Sequence, residues 1–407
     1  MQSAKAKKYI LLSLVIFITY IFFLYSNKLP FDATRFENDE VSWFFHSKAF
    51  IEAFVNKDFK SDYWPSSEAY DHPHLAKYIY GWRLFTKFGS QYLSEIKEIE
   101  KELGRWNFYQ DFDLKDFSSH PVAKYIKSLE EINIRLIFVL VLVLSLLLME
   151  FSKSFLISFL YSLFLLKNAY FINTMIRVRP DLYFILFLFL AIFCLLSYLK
   201  TGKSILFYLF ALFSSFSLSS KLTGVLAIIS FLPFLLLSRK SQDKFFTARK
   251  LTLSLIIFVF TWFVLNPTLY ASPIANSIKY FRFRHEELLD HRSINPKRAL
   301  FSIKDRMVYL SCGLYINQCS GISYARMNLT PLTSINITLF ALGIYKLILL
   351  RKKNPFHIYF LLTILAAFTL ISAFMTMSFE RYLIAPFILT TITQFVGLGY
   401  LIGKLKI

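Results

Sequence analysis

The sequence predicts an all-α polytopic membrane protein with about ten transmembrane helices. Three observations carry this. First, 56% of the 407 residues are hydrophobic and 19% aromatic, with a mean hydropathy of +0.49. A soluble domain cannot hide that much apolar surface, whereas lipid solvates it. Second, several segments approach the ~20 apolar residues that cross a hydrocarbon core of ~30 Å. Lipid offers backbone groups no partner, so spans must be helices or a closed barrel, and ten-residue alternating barrel strands are not visible. Third, much of the net charge of +20 sits in short connections between apolar runs, where it sets orientation. No basic–aromatic nucleic-acid-binding module accompanies it.

The N-terminus, MQSAKAKKYILLSLVIFITYIFFLYSNKLP, has a basic start and a run long enough to span, with no small-residue cleavage site after it. It reads as an uncleaved signal anchor. Spans follow from there near 9–26, 132–150, 154–172, 182–199, 204–220, 222–238, 251–268, 332–350, 356–378 and 382–402. With the N-terminus inside, the inner connections carry Lys5, Lys7 and Lys8; Lys153; Lys200 and Lys203; Arg239, Lys240, Lys244, Arg249 and Lys250; Arg351, Lys352 and Lys353; Lys404 and Lys406. Every inner loop is therefore basic, as the positive-inside rule asks. Both termini are expected in the cytoplasm of a plasma-membrane protein. The whole chain reads as a single transmembrane domain, 1–407.

Two long segments fall outside, 27–131 and 269–331. The first is too long for an idle connection and reads as two or three amphipathic interfacial helices. VSWFFHSKAFIEAFV places apolar residues at helical spacing beside Ser42, His46, Ser47 and Lys48. HLAKYIYGWRLFTKFG sets Lys77, Arg83 and Lys87 opposite Leu75, Ile79, Trp82 and Phe85–Phe88, a pattern suited to the membrane interface. Pro73 is placed as a first-turn residue of that helix, with Asp71 near its cap.

The outer ends of the spans collect ionisable residues: Asp39 and Glu40; Asp71, His72 and His74; Arg177, Arg179 and Asp181; Lys221; Glu380 and Arg381. Charges at membrane depth are costly, so several converging from separate spans suggest a site. The acids suit proton transfer or a metal, and Arg suits phosphate through bidentate contacts. One base with an anion clamp fits transfer of a sugar from a lipid-linked phosphate donor. The leaving phosphate needs charge stabilisation more than protonation, so one carboxylate suffices where glycoside hydrolysis uses two.

These motifs resemble the polyprenyl-phosphate-sugar-dependent glycosyltransferases, which include protein O-mannosyltransferases and lipid A aminoarabinose transferases and share the C-type membrane fold. The likeness runs in order through NDEVSWFFHSKAF, DHPHLAKY, RVRPDLYFILFLF, LSSKLTGVLAIISFLPF and ERYLIAPFI, covering most of the chain. It implies that Asp39 is the catalytic base. Lys221 and the arginines are candidates to hold donor phosphate by position, and Glu40, His72, Lys77, Arg177, Arg179, Asp181, Lys221 and Arg381 are the expected substrate-binding set. The donor would be a polyprenyl-phosphate-linked sugar and the acceptor a hydroxyl on a protein, lipid or glycan, with inversion at the anomeric carbon. No cofactor is required, although a divalent cation is compatible. Two departures stand out. His74 replaces the second proline of the family's His-Pro-Pro-Leu, and 269–331 is too short for the β-trefoil of the protein O-mannosyltransferases, which places the closer likeness among small bacterial or archaeal members.

Plainer roles stand beside these. Asp39 suits a helix N-cap, Glu40 a solvated face, His72 and His74 loop packing (His72 on Trp64 or Tyr70), Lys77 snorkelling to the interface, Arg177 and Arg179 anchoring at head groups, Asp181 a cap after Pro180, and Arg381 pairing with Glu380. His285 and Glu286 suit a metal less well than a solvated helix. Cys312 and Cys319 are compatible with a disulfide in an oxidising compartment, and Cys194 reads as a buried hydrophobe. Two rival functions are a transporter or flippase of lipid-linked anions and a non-catalytic cell-envelope assembly subunit. Topology reporters fused at residues 39 and 381 are expected on the same face of the bilayer; opposite faces would dismantle the shared site.

Overall fold

A computed structural model describes residues 2–26, 38–103, 120–229, 231, 247–294, 296–315, 331–350, 356–375, 378 and 380–404. The described residues are helical, without strands. The principal helices are α1 Gln2–Ser26, α2 Asn38–His46, α3 Ser67–Asp71, α4 Leu75–Phe88, α5 Ser90–Leu103, α6 Val122–Ser152, α7 Phe155–Lys167, α8 Ala169–Ile176, α9 Asp181–Thr201, α10 Ser204–Ser220, α11 Ala248–Leu265, α12 Pro273–Ile294, α13 Ile303–Tyr315, α14 Pro331–Leu350, α15 Phe356–Phe374 and α16 Ile384–Lys404.

Six of the described helices are long and apolar enough to cross a membrane, and the bent pair α7–α8 makes up to seven. These make the chain a multi-pass membrane protein. Helices lie on nine of the ten predicted spans. The tenth, 222–238, begins as a short helical stretch, Val225–Ile229, and lies mostly outside the described residues. The helices α10 and α15 are apolar but shorter.

Three helices form the centre and three the rim. The windows of α6, α9 and α16 are 61%, 72% and 78% buried within the protein, against 22%, 6% and 17% for α1, α11 and α14. The rim helices hold Leu255, Ile256 and Phe260 outward, which lipid tolerates and water would not. Helices α14 and α16 approach backbone to backbone. A Cβ on Gly397 would sit 2.0 Å from the Leu339 carbonyl oxygen, and one on Gly343 would sit 2.0 Å from that of Thr393. Small residues permit this contact where apolar attraction between helices in lipid is weak.

Two boundaries differ from the sequence reading. The span 154–172 is broken by a 65° bend. Asn168 causes it: its side chain accepts a hydrogen bond from the Phe171 N–H at 2.8 Å, starting a new helix where the old one would have continued. Helix α6 starts at Val122, about ten residues before the predicted span. Its first turns turn Val122, Tyr125, Ile126 and Leu129 onto a second core with Val41, Phe44, Tyr80, Leu84 and Tyr92. The first outer segment is therefore packed onto the bundle rather than looped away from it.

The third difference is rotational. Helix α4 buries Ala76, Lys77, Tyr80, Gly81 and Leu84, while Trp82 is 52% exposed. Of the predicted apolar face, Ile79, Phe85 and Phe88 pack on the second core and Trp82 turns out; of the predicted basic face, Lys87 stays exposed and Lys77 turns in. The close approach of Gly81 to Ser47 and Phe50, where a Cβ would lie 2.6 Å from the Ser47 carbonyl oxygen, fixes this rotation. A helix bordering lipid can afford an outward Trp82. The start of α4 also departs from expectation: Asp71 ends α3, which Ser66 caps through the Ala69 N–H at 3.3 Å, and His74 rather than Pro73 precedes α4.

Gly397→Ala is expected to lower stability by about 2 kcal/mol, because backbone on α14 blocks the added methyl, whereas Gly403→Ala, with nothing within 4 Å of its Cβ, should not. Thermal unfolding of the detergent-solubilised protein tests the contrast.

Candidate functional site

Three polar nodes gather at one end of the bundle, each joining segments far apart in the chain. The first is built on Glu40, in the first turn of α2 and fully buried. It accepts hydrogen bonds from the Val178 N–H and the Arg177 guanidinium, both at 3.0 Å. The turn bearing Arg177 and Arg179 is held from behind. Asn133 of α6 donates to the carbonyls of Ile176 (3.0 Å) and Arg177 (2.8 Å) and accepts from the Tyr183 hydroxyl at 3.0 Å. Tyr80 of α4 donates to the Arg179 carbonyl at 2.8 Å.

The second node is Asp71. His46 Nε2 lies 2.8 Å from one carboxylate oxygen, Arg284 of α12 donates to the other, and His72 Nε2 stands 3.7 Å away. Arg284 also reaches Glu287. His72 stacks on Trp43 at 5.2 Å, and the Tyr280 hydroxyl donates to the carbonyls of Ala69 (2.9 Å) and His72 (3.1 Å). The first and second outer segments are thus bonded together.

The third node is the buried pair Lys221–Asp181, at 2.6 Å. Lys221 lies where α10 ends and Asp181 where α9 begins. The ammonium is 5.2 Å from the Tyr382 ring centroid, and the half-buried Arg381 guanidinium lies 5.8 Å from the same ring. Arg381 acts electrostatically on Asp181 and Arg179. Lys221 and Arg284 both act on the His72 imidazole, so the second and third nodes share one field.

That field moves protonation in defined directions. Burial by itself would raise the Asp71 carboxyl; the His72 and His46 imidazoles and Arg284 override it and hold the acid well below the usual carboxylate range. Burial, reinforced by Arg284, Lys221 and Lys77, drives the His72 imidazole well below its usual value against the pull of Asp71. Burial likewise depresses His74, with Lys77 and His46 adding to it. Burial and the facing Arg381 lower the Arg179 guanidinium to about 10.

The structure brings together most of the residues singled out in the sequence. Glu40 is buried and ion-paired, not solvated. Arg177 and Arg179 turn into the protein rather than toward head groups. Asp181 does more than cap, since it holds Lys221. Lys77 is fully buried and donates to the Ala69 carbonyl at 3.3 Å, so it does not snorkel. His72 packs on Trp43, where Trp64 and Tyr70 were the expected surfaces. His74 is buried among Trp64, Tyr78 and Tyr63, its N–H donating to Asn266 at 3.4 Å. Asp39 lies in the turn of α2 beside Glu40, and its side chain is outside the described residues, as is that of Glu380. His285 and Glu286 are exposed on α12, Glu286 paired with Arg282 at 2.8 Å, and among the described residues no three His, Cys, Asp or Glu side chains are grouped to hold a metal. Cys194 is buried on α9, and the side chains of Cys312 and Cys319 are outside the described residues.

Sequence reasoning missed Arg284, Asn133 and His46. Asn133 carried a signal, a lone amide at the start of an apolar run. Arg284 was legible only through its segment, YFRFRHEELLDHR, which the sequence places among the polar clusters on the shared side and which offers several equivalent basic positions. Chemically, the arrangement pairs the carboxylates of Glu40, Asp71 and Asp181 with cations, with Lys77, Arg179 and Arg381 around them and a further buried acid, Glu130, facing Glu40 and Arg177. Such an end of a bundle can receive an anionic group and stabilise charge that develops on it. No known protein family matches this chain, and no curated protein matches it in sequence.

The depressed imidazoles predict the direction of acid sensitivity. The unfolded chain takes protons on His72 and His74 near the ordinary pKa of about 6.5, and the folded protein resists them. Stability is therefore complete above about pH 6.5 and is lost as pH falls below it toward the lowered folded values. His74→Phe, which suits the aromatic surroundings, should flatten this slope in thermal unfolding between pH 7.5 and 5; an unchanged slope would exclude His74 as a source.

Proposed function

We propose that the chain is a C-type membrane glycosyltransferase that moves a sugar from a polyprenyl phosphate to a hydroxyl acceptor at the extracytoplasmic face. The observation that carries this reading is the meeting of α2, the 177–181 turn, Lys221, Arg284 and Arg381 in one charged cluster at one end of an apolar bundle. A lipid-phosphate leaving group calls for such a concentration of cations, because charge grows on its oxygens as the bond breaks.

Asp39 is assigned as the base. It adjoins Glu40, whose bonds to Val178 and Arg177 hold that turn of α2 against the site. In the proposed step the Asp39 carboxylate takes the proton of the acceptor hydroxyl. The acceptor oxygen bonds to the anomeric carbon as the bond to the phosphate oxygen breaks, and the phosphate leaves with the electron pair. A single displacement inverts the anomeric carbon. Lys221, oriented by Asp181, and Arg381 beside it stabilise the growing phosphate charge, with Arg177, Arg179 and Arg284 supplying the surrounding positive field. His72 and the buried Lys77 add the first long segment's contribution to that field, Lys77 acting on the His72 imidazole.

The 65° break at Asn168 favours a second reading, a transporter of lipid-linked anions, because broken helices build substrate sites in transporters. One variant separates the two. Asp39→Asn should lower transfer by about 10²–10⁴-fold, the usual worth of a general base, with unfolding temperature unchanged. Transfer is read by mass spectrometry of envelope lipids, glycans and proteins in a deletion strain complemented with wild type or variant. A folded Asp39→Asn protein that restores every product defeats the proposed chemistry.

A further inference from the structure

At the end of the bundle away from the charged cluster, the last turns of α6, α14 and α16 enclose a cavity of ≈ 300 Å³. Helix α16 starts beside Arg381 and runs 21 residues to Lys404, roughly 30 Å at 1.5 Å per residue. The cavity is therefore a separate site, a membrane's thickness away.

Its construction begins at the Gly343–Gly397 contact, which locks α14 to α16. One turn further on, Lys346 and Tyr400 emerge from the two helices, and Lys404 follows on the same face of α16. The Lys346 ammonium is 5.0 Å from the Tyr400 ring centroid and that of Lys404 is 5.9 Å from it. Two ammonium groups thus border one ring beside lipid. Like charges so placed repel, and among the described residues no carboxylate stands within ion-pair distance of either. The nearest acid along α6, Glu150, is engaged by Tyr9, Lys200 and Lys153.

The cavity's glycines differ from the pair that locks the helices. A Cβ on Gly399 would make only ordinary contacts, at 3.5–3.8 Å with Ile157 and Ser152, and one on Gly403 would meet nothing within 4 Å. Packing does not require glycine at either position, and glycine in a helix costs about 1 kcal/mol relative to alanine. What the two glycines do is keep the space in front of the lysines open.

We propose that this cavity binds the phosphate of an anionic phospholipid headgroup, with Lys346 and Lys404 as the cations. Lysine binds phosphate as a point charge, and basic pockets between helix ends at a membrane face select anionic lipids. The cavity lies in the last turns of the candidate spans α14 and α16, the end of a span being where a headgroup meets a helix. The simpler role for both lysines is to offset the negative C-terminal ends of their helices, and that role needs neither the cavity nor a ligand.

Native mass spectrometry of the full-length protein in detergent separates these. Phosphatidylglycerol, phosphatidylcholine and inorganic phosphate are titrated against wild type, Lys346→Gln/Lys404→Gln, and Gly403→Leu, which fills the space without touching charge. Wild type should prefer phosphatidylglycerol over phosphatidylcholine by about tenfold, on the order of a headgroup charge met by one or two lysines. Both variants should lose the preference while unfolding at the wild-type temperature. Equal binding of the two lipids overturns the proposal, as does a preference that survives in Gly403→Leu. Binding of inorganic phosphate at millimolar concentration without any lipid preference also overturns it, assigning the cavity to a soluble phosphate.

Discussion

Everything at the charged end of this bundle depends on how Glu40 is satisfied. A fully buried carboxyl must find donors, and Glu40 finds a backbone N–H and a guanidinium from one turn, the residues Arg177 and Val178. That single side chain ties the first outer segment to the turn between α8 and α9. Asn133 and Tyr80 then hold the same turn from two further helices. Removing one partner of such a buried pair is far costlier than the pair's net worth, so the arrangement fixes geometry more than it adds stability.

The same logic repeats around the site. Asp181 with Lys221 and Asp71 with Arg284 are each a carboxylate from one segment met by a cation from another. Lipid on the outside leaves ionisable groups at this depth nowhere favourable to go but inward. Pairing in turn orders the cations: Lys221 is aimed by Asp181, and Arg284 is drawn from the second outer segment onto the first. A glycosyl transfer from a lipid phosphate, as proposed, would use an electrostatic field assembled before substrate arrives, so that little reorganisation is needed during the reaction.

The helix Leu75–Phe88 shows how far pattern reading reaches in such a protein. Its amphipathicity was legible, and Ile79, Phe85 and Phe88 pack on the core as their spacing asks. Two residues leave their assigned sides: Trp82, placed with the apolar set, is exposed, and Lys77, placed opposite, is buried and bonded to the Ala69 carbonyl. Which single side chain finds a buried partner depends on a neighbouring segment, here the turn that offers the Ala69 carbonyl. The break at Asn168 was illegible for a similar reason, since an asparagine in an apolar run reads as a tolerated polar residue until its side chain is seen capping a new helix.

By itself the sequence determined the class of protein, the position of most of its apolar helices, the helical character of the long segment after the first of them and the set of ionisable residues at the helix ends. Those follow from hydrophobic run length and charge distribution, which are local quantities. The tertiary structure alone decided the partners: that Glu40 meets Arg177, that Asp71 meets Arg284 across 213 residues, that Lys77 is buried, and that Lys346 and Lys404 flank one tyrosine at the far end. Partner choice depends on which helix faces touch and how each is rotated. Rotation is set by close contacts such as Gly81 on Ser47 and Gly397 on Leu339, which no pattern along a single segment encodes.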